Sequence, residues 1–284
     1  MSLMVGTLLA KYLCHYLYFS IINQRYLIRP EPEMITLKFR LIIIASTLVF
    51  TGCTQGKFDA EKAIIVGAGV ALAITLNEDS VKQTATLAAK EYDGKHQVAG
   101  PNDAYSKRLF KMTNSLRNYD GLQLNFKVYK ADDVNAFAMA DGTVRVYTGL
   151  MDAMTDDQIL AVIGHEIGHV KLRHSYHQMQ TQLLTNATLQ AAIGVGGVVG
   201  ALSGGQLGQL ASGAVSAQFS QRDELSADVF AVKLLKNLGK DPRAMIRSIQ
   251  TLKAKFGTGG GFMSSHPSND ERMSNLERAI AQSN

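Results

Sequence analysis

Apolar residues stand at Leu160, Ile163, Ile167, Val170 and Leu172, mostly at the three- and four-residue spacing that paints an apolar surface on an α-helix. Thr155 precedes the run as an N-cap, Gln158 follows in capping-box position, and Asp156 and Asp157 suit the positive end of the helix dipole. A surface this apolar predicts a central, buried helix. Upstream the pattern changes to that of strands: Leu124–Lys130 and Val144–Tyr147 read as extended, with Ala136–Ala140 between them along the chain. Asp141-Gly142 is a strong hairpin signal. Ser80–Tyr92 and Asp103–Tyr119 read as helices, separated by a linker near Gly94–Asn102 that contains Gly, Pro and Asn. Another helix is predicted from about Ser175, and Asp241-Pro242 and Ser268 open the last two, with Gly239 as a stop signal. The predicted class is α+β, predominantly helical, with a small β-sheet beside the central helix.

Two further apolar stretches leave their setting open. Ala63–Leu76 is too short to span a bilayer comfortably, and it reads as packing on the domain or lying at a lipid surface. Within Ala191–Gly213, Gly196, Gly200, Gly204 and Gly208 recur every four residues and would line one face of a helix. In lipid such a ridge pairs helices; in water it is a close-packed or mobile segment, such as a lid beside a cleft.

The N-terminal region predicts export. From Met34, Lys38 and Arg40 precede an apolar stretch that closes on Thr51-Gly52-Cys53, a secretory signal ending in a lipobox-like sequence whose cysteine is lipidated after cleavage. Phe50 stands where such sequences usually carry leucine. Residues 1–33 read as an extension ahead of a true start at Met34, residues 34–53 as the signal, 54–102 as an apolar and helical segment with its linker, and 103–284 as the main domain. The whole chain carries a formal net charge of +5, but from Cys53 onward 24 basic residues face 22 acidic ones, and nothing suggests nucleic acid binding. Cys14 and Cys53 are the only cysteines. With Cys53 lipidated, the exported part has no disulfide and depends on its core.

The candidate chemistry lies on the central helix, where His165-Glu166-Ile-Gly-His169 forms an H-E-x-x-H signature. Residues four apart share a helical face, so both imidazoles can grip one metal ion while Glu166 reaches a water beside it. Ionisable groups on a buried helix are costly unless paired or metal-bound. A third ligand should come from a second helix, and Glu224, with Asp228 four residues on and the small Ala227 allowing close approach, is the best candidate. Two histidines and one glutamate with a position left open suit catalytic Zn²⁺, one ion per chain. Asp228 would then accept the free N–H of a ligating imidazole and fix its tautomer. In such a site Glu166 is the general base of peptide hydrolysis, and no covalent intermediate is needed.

His165-Glu-x-x-His169 followed by Arg222-x-Glu224-x-x-Ala227-Asp228 resembles the gluzincin family that contains HtpX and the CAAX prenyl proteases. Asn135-Ala-Phe-Ala-Met139, Tyr147-Thr-Gly-Leu150 and His266-Pro267 match the same pattern, over about Ala104–Ala279. Within that family the chain is similar to the lipoprotein peptidases of the LoiP type. The resemblance implies a zincin-like metallopeptidase domain over 103–284, in which His165, His169 and Glu224 bind zinc, Glu166 acts as base and Asp228 orients a histidine. Thr54 in place of an aspartate after Cys53 implies, by the same resemblance, a protein that is lipid-anchored in the outer membrane and faces the periplasm.

Two histidines and one strand fall outside this ligand set. His174 follows His169 by five residues and, on a continuous helix, points away from His165, so it is not counted as a ligand. His266 lies in a Gly-rich then polar loop before the last helix. It could stabilise an oxyanion, occupy the open metal position in a resting state, or simply anchor the last helix. Asn135, Ala136, Phe137 and Ala138 could form an exposed sheet edge to which an extended polypeptide adds, which favours unfolded envelope proteins as substrates. The alternative is a zinc-binding envelope chaperone or assembly factor, with proteolysis autoinhibited or lost, working beside partner proteases or chaperones.

Overall fold

A computed structural model describes residues 77–185, 202–257, 261–267 and 270–282, all within the compact unit that spans 68–284. Helix α1 (Glu78–Lys95) starts at Asn77, whose side-chain oxygen accepts from the Ser80 N–H, and α2 (Ala104–Thr113) starts at Asp103, which accepts from Tyr105 N–H. The predicted continuation of α2 to Tyr119 is not found. The chain tightens into a 3₁₀ turn at Asn114–Leu116 and reverses at Asp120 and Gly121, both at positive φ.

Among the described residues the sheet has three strands, β1 (Asn125–Tyr129), β2 (Ala136–Ala138) and β3 (Thr143–Tyr147), in the order β1-β3-β2. β1 runs parallel to β3, while β2 is antiparallel to it with Ala138 opposite Val144. The Asp141-Gly142 signal is the β2–β3 hairpin: Gly142 has φ +89°, and a Cβ there would meet the Gln123 carbonyl oxygen at 2.1 Å. Asp93 of α1 clamps this sheet, accepting from Arg145 Nε at 2.8 Å, Lys127 Nζ at 2.7 Å and Tyr129 OH at 2.6 Å. Burial works against its charge, yet these donors hold the Asp93 carboxyl down to about 2.

After α3 (Thr148–Ala153) comes the central helix α4 (Asp156–Lys171), in which every residue from Gln158 to Val170 is buried. Gln158 accepts from the Thr155 N–H and donates onward to the Arg247 carbonyl and Thr251 Oγ1 at 3.0 and 2.8 Å, tying the start of α4 to helix α8 (Ala244–Phe256). Helix α5 (His174–Thr185) follows α4 after a kink. Helix α6 (Gly204–Ser216) turns Gly204 and Gly208 toward the ends of the Glu91 and Lys95 side chains of α1, Gly208 buried and Gly204 exposed, so this part of the glycine ridge is not a tightly packed helix seam. Gly196 and Gly200 lie outside the described residues, as do Ala63–Leu76 and Cys53.

Helix α7 (Gln221–Asn237) lies across α4 and ends with Gly239 at φ +67°, the expected stop. The contact is close because both helices carry small residues there: a Cβ on Gly168 would lie 3.1 Å from Ala227 Cα, and one on Gly164 3.4 Å from Ala231 Cα. Before the last helix, α10 (Asp270–Gln282), the expected loop contains one helical turn, α9 (Phe262–Ser265). No described helix is long and apolar enough to cross a membrane.

Candidate metal centre

Two adjacent helices and one short turn build the site. His165, Glu166 and His169 project from α4, Glu224 and Asp228 from α7, and His266 follows α9 directly. All six are buried, at 2 % exposure or less. His165 Nε2 lies 3.0 Å from His169 Nε2 and 3.2 Å from His266 Nδ1, while Glu224 Oε1 lies 2.9 Å from His266 Nδ1 and 3.4 Å from His169 Nε2. One donor atom from each of these four residues falls within 4.8 Å of every other.

These separations can be tested against a metal ion. A tetrahedron with bonds of about 2.0–2.1 Å has edges of about 3.3–3.4 Å. Four of the six donor separations, from 2.9 Å to 3.4 Å, lie around that value, and all six are within 4.8 Å. Glu224 Oε2 and Glu166 Oε1 are buried without a hydrogen bond, and such orphaned carboxylate oxygens are costly unless a cation faces them. Glu224 Oε2 has a charge contact of 2.7 Å with Arg272 Nη1, but this is not aligned as a hydrogen bond. The residues present fit a divalent ion.

The surroundings assign a direction to each ring. His165 Nδ1 lies 2.8 Å from Asp228 Oδ1, which leaves Nε2 to face the donor group. Asp228 in turn accepts two bonds from Arg272, Nε to Oδ2 at 2.9 Å and Nη2 to Oδ1 at 2.8 Å. Burial opposes ionisation of Asp228, but Arg272 keeps its carboxyl below the usual range. For His165, burial opposes the charged ring, but Glu224 and Asp228 outweigh it and push the pKa up to about 9. His169 is held well below its ordinary value, chiefly by burial. Burial raises the Glu166 carboxyl, while for Glu224 burial is overcome by the charges of His266 and His165, which hold it far below the carboxylate range.

Several contributors had no visible signal in the sequence. Arg272, buried to 1 % exposure, reads in the sequence as one more charge on the acidic and basic face of the last helix. It also donates to the His266 and Pro267 carbonyls, both at 3.1 Å, so it fixes the His266 turn as well as Asp228. Phe219 stacks on the His169 ring with centroids 3.8 Å apart. His174 remains outside the donor group, but the reason expected for it does not hold. α4 stops at Lys171, Arg173 adopts φ +66°, and the turn brings His174 Nδ1 to 3.0 Å from His169 Nδ1.

The sheet edge also differs from expectation. β2 is an edge strand, but its three residues are buried at 1–5 % exposure. Its odd-numbered neighbours face β3, with Tyr147 N–H donating to Asn135 O and Met139 N–H to Thr143 O, so Ala136 and Ala138 turn their backbone outward. Those outward groups meet the chain itself. Asn135 Oδ1 accepts from Ala136 N–H and Ser175 Oγ donates to the Ala138 carbonyl, while the Ala138 N–H, facing Glu166, favours the charged form of its carboxyl.

A paired-histidine helix, a glutamate delivered by a second helix and a further buried carboxylate beside them have the makings of a metal-dependent hydrolase. Comparison with known proteins carries this to a family: the pattern described as peptidase family M48 matches residues 104–280, and the chain belongs to that family. It is a metalloendopeptidase. The chain is 42 % identical over 244 residues to metalloprotease LoiP of Escherichia coli (strain K12), covering 84 % of this chain and 96 % of that one. It is 40 % identical over 248 residues to metalloprotease YcaL of the same organism, covering 86 % and 97 %. A β-barrel assembly-enhancing protease of Yersinia pestis is 30 % identical over 194 residues, covering 62 % of this chain and 37 % of its own length.

Proposed function

We propose that the protein is a zinc endopeptidase, lipid-anchored through Cys53 in the cell envelope, that cleaves unfolded or misassembled polypeptides. The observation that carries the chemistry is the buried donor group of His165, His169, Glu224 and His266, with the orphaned Glu166 Oε1 beside it. Nitrogen and carboxylate donors at tetrahedral spacing favour Zn²⁺ over Mg²⁺ or Ca²⁺, which prefer more oxygen ligands. When bound, the metal supplies Lewis-acid polarisation of a carbonyl and acidification of water.

The chain's own residues do the rest. His165, His169 and Glu224 hold the ion, Asp228 fixes the His165 ring, and Arg272 fixes Asp228. Glu166, with its affinity for protons raised by burial, takes a proton from the attacking water and returns it to the leaving amine nitrogen. The Ala138 N–H favours the charged Glu166 carboxylate, which places the base beside the strand along which substrate would lie. An extended peptide pairs with the outward groups of Ala136 and Ala138 after displacing Asn135 Oδ1 and Ser175 Oγ, so recognition uses main chain more than side chain. That favours unfolded polypeptide.

A resting form follows from His266. Its Nδ1 stands in the donor group and its Nε2 lies 3.3 Å from Glu166 Oε1, so one ring covers both the open ligand position and the base. This observation supports the second reading, an envelope factor whose proteolysis is held off until the His266 turn moves. The anchor and a place in the outer membrane facing the periplasm rest on the 34–53 signal and on similarity to LoiP, YcaL and a protease named for β-barrel assembly.

Full-length protein in detergent, loaded with zinc, should digest casein, whereas chelated protein and Glu166→Gln should not. His266→Ala should digest it faster if the ring holds the site closed. No cleavage by zinc-loaded wild type and His266→Ala alike would favour the assembly-factor reading. Cys53→Ala should release the protein from the membrane fraction.

A further inference from the structure

His169 and His165 are held in different ways. His165 meets a carboxylate directly, whereas His169 meets another imidazole, that of His174, whose Nδ1 lies 3.0 Å from His169 Nδ1. Two ring nitrogens at that distance require one N–H and one lone pair. Which nitrogen carries the proton is decided at the far side of His174. Its Nε2 lies 3.3 Å from Asp223 Oδ1 and 3.4 Å from Ser226 Oγ. Asp223 is a carboxylate, and the Ser226 hydroxyl is committed to the Arg222 and Asp223 carbonyls at 3.1 and 3.0 Å, so both neighbours offer lone pairs. His174 therefore carries its proton on Nε2 and presents a lone pair at Nδ1. His169 must place its own proton on Nδ1, which leaves His169 Nε2 as a lone pair facing the donor group.

Backbone geometry delivers His174 to this place. The positive φ of Arg173, a conformation unfavourable for a non-glycine residue, breaks α4 so that α5 begins at His174. The Arg173 side chain holds the kink from outside, 2.9 Å from Glu78 and 4.6 Å over the Tyr176 ring.

We infer that Asp223 and His174 form a tautomer relay that positions His169 for the metal, a role complementary to that of Asp228 on His165. It rests on the ligand set proposed above. His174 touches neither substrate nor metal and is a positioning residue.

The test measures metal affinity and geometry in the full-length protein, with Co²⁺ as probe because its visible absorption reports ligand number and symmetry. Dissociation constants come from chelator competition, and circular dichroism confirms folding. His169→Ala is the reference, and it should abolish the tetrahedral Co²⁺ spectrum. His174→Ala should keep the ligand number but weaken binding about 10–100-fold. In His174→Gln the carbonyl oxygen still accepts from His169 Nδ1 and needs no tautomer set for it, so binding should largely recover. Asp223→Ala should weaken binding in the wild-type background and have no effect in His174→Gln. The relay is overturned if His174→Ala binds within about twofold of wild type, well inside the range expected for loss of such a partner. It is also overturned if Asp223→Ala costs the same in both backgrounds, since Asp223 would then act only through the capping box with Ser220. Should His174→Ala lose helicity, the His174→Gln pair decides alone. If His169→Ala itself retains full affinity, the ligand set fails and the relay with it.

Discussion

Replacing Gly168 with alanine should force apart the two helices that share the site. An added Cβ would stand 3.1 Å from both Cα and O of Ala227 and 3.2 Å from Phe230 Cβ. Two of these are backbone atoms of α7, which no change of rotamer can move. Favourable carbon contacts begin near about 3.5 Å, so α7 must retreat by roughly 0.4 Å. Overpacking of this kind costs about 1–3 kcal/mol, against a helix-propensity gain of about 1 kcal/mol, for a net loss of up to about 2 kcal/mol. The retreat also carries Glu224, one turn before Ala227, away from the imidazoles of α4. A site needs placement within about 0.5 Å, so metal affinity should fall about tenfold or more. Gly164→Ala is the control on the same helix. Its Cβ would meet Ala231 Cα at 3.4 Å and Ala231 Cβ and Leu234 Cδ2 at 3.5 Å, which is ordinary contact. The propensity gain should dominate there, adding up to about 1 kcal/mol and leaving metal affinity unchanged. Thermal unfolding of the chelated proteins reads stability, and chelator competition reads affinity. Equal behaviour of the two variants, or a Gly168→Ala protein with wild-type affinity, would refute the helix-contact argument.

Three other outcomes follow from particular contacts. Glu166→Gln should keep stoichiometric metal while lowering kcat by at least about 10²–10⁴-fold, measured on a quenched peptide; loss of metal instead would make Glu166 a ligand. Arg272→Met leaves Asp228 and Glu224 buried without their guanidinium and should cost about 3–5 kcal/mol in urea unfolding, a value under about 1 kcal/mol being inconsistent with a buried pair. Asp93 titrates near 2 in the folded protein against 3.8 for an ordinary aspartate, so its stabilisation is present above that ordinary value and lost as pH falls through about 2. The shift corresponds to about 2 kcal/mol, so acid titration of stability should lose that dependence in Asp93→Asn; an unchanged profile would remove Asp93 as its source.

The sequence made the central helix α4 legible because three independent signals coincide on it: the capping box at Thr155 and Gln158, the apolar period and the H-E-x-x-H spacing. The α7 pair Glu224 and Asp228 was legible for a related reason, a four-residue spacing beside the small Ala227. His174 and Arg272 were not, and the causes differ. The expectation for His174 assumes a continuous helix, and a single positive φ at Arg173, which has no glycine to announce it, reverses its direction. Arg272 sits among Asp270, Glu271, Glu277 and Arg278, a composition typical of a solvated face. Its burial depends on where Asp228 lies, 44 residues away, which local pattern does not report. The sheet order shows the same limit. The hairpin was visible at Asp141-Gly142, but the parallel pairing of β1 with β3 depends on long-range packing.

The charges of the site explain why these distant residues must converge. Glu166, Glu224 and Asp228 are three buried carboxylates, and Arg272 is the one guanidinium buried among them in the described residues. When all are ionised, two negative charges remain in a region that water barely reaches, at a cost of several kcal/mol for each uncompensated ion. Protonation of His165, favoured by the two carboxylates beside it, offsets part of this. A divalent cation offsets both charges and requires that proton to leave. Arg272 must therefore do two things at once, neutralising Asp228 so that it can hold His165, and leaving Glu224 Oε1 turned toward the imidazoles. A lysine could not replace it: one ammonium lacks the planar fork that reaches both Asp228 oxygens and the His266 and Pro267 carbonyls. The same guanidinium thus couples the charge of the site to the position of the His266 turn, so a movement that frees His266 must also break bonds made by Arg272.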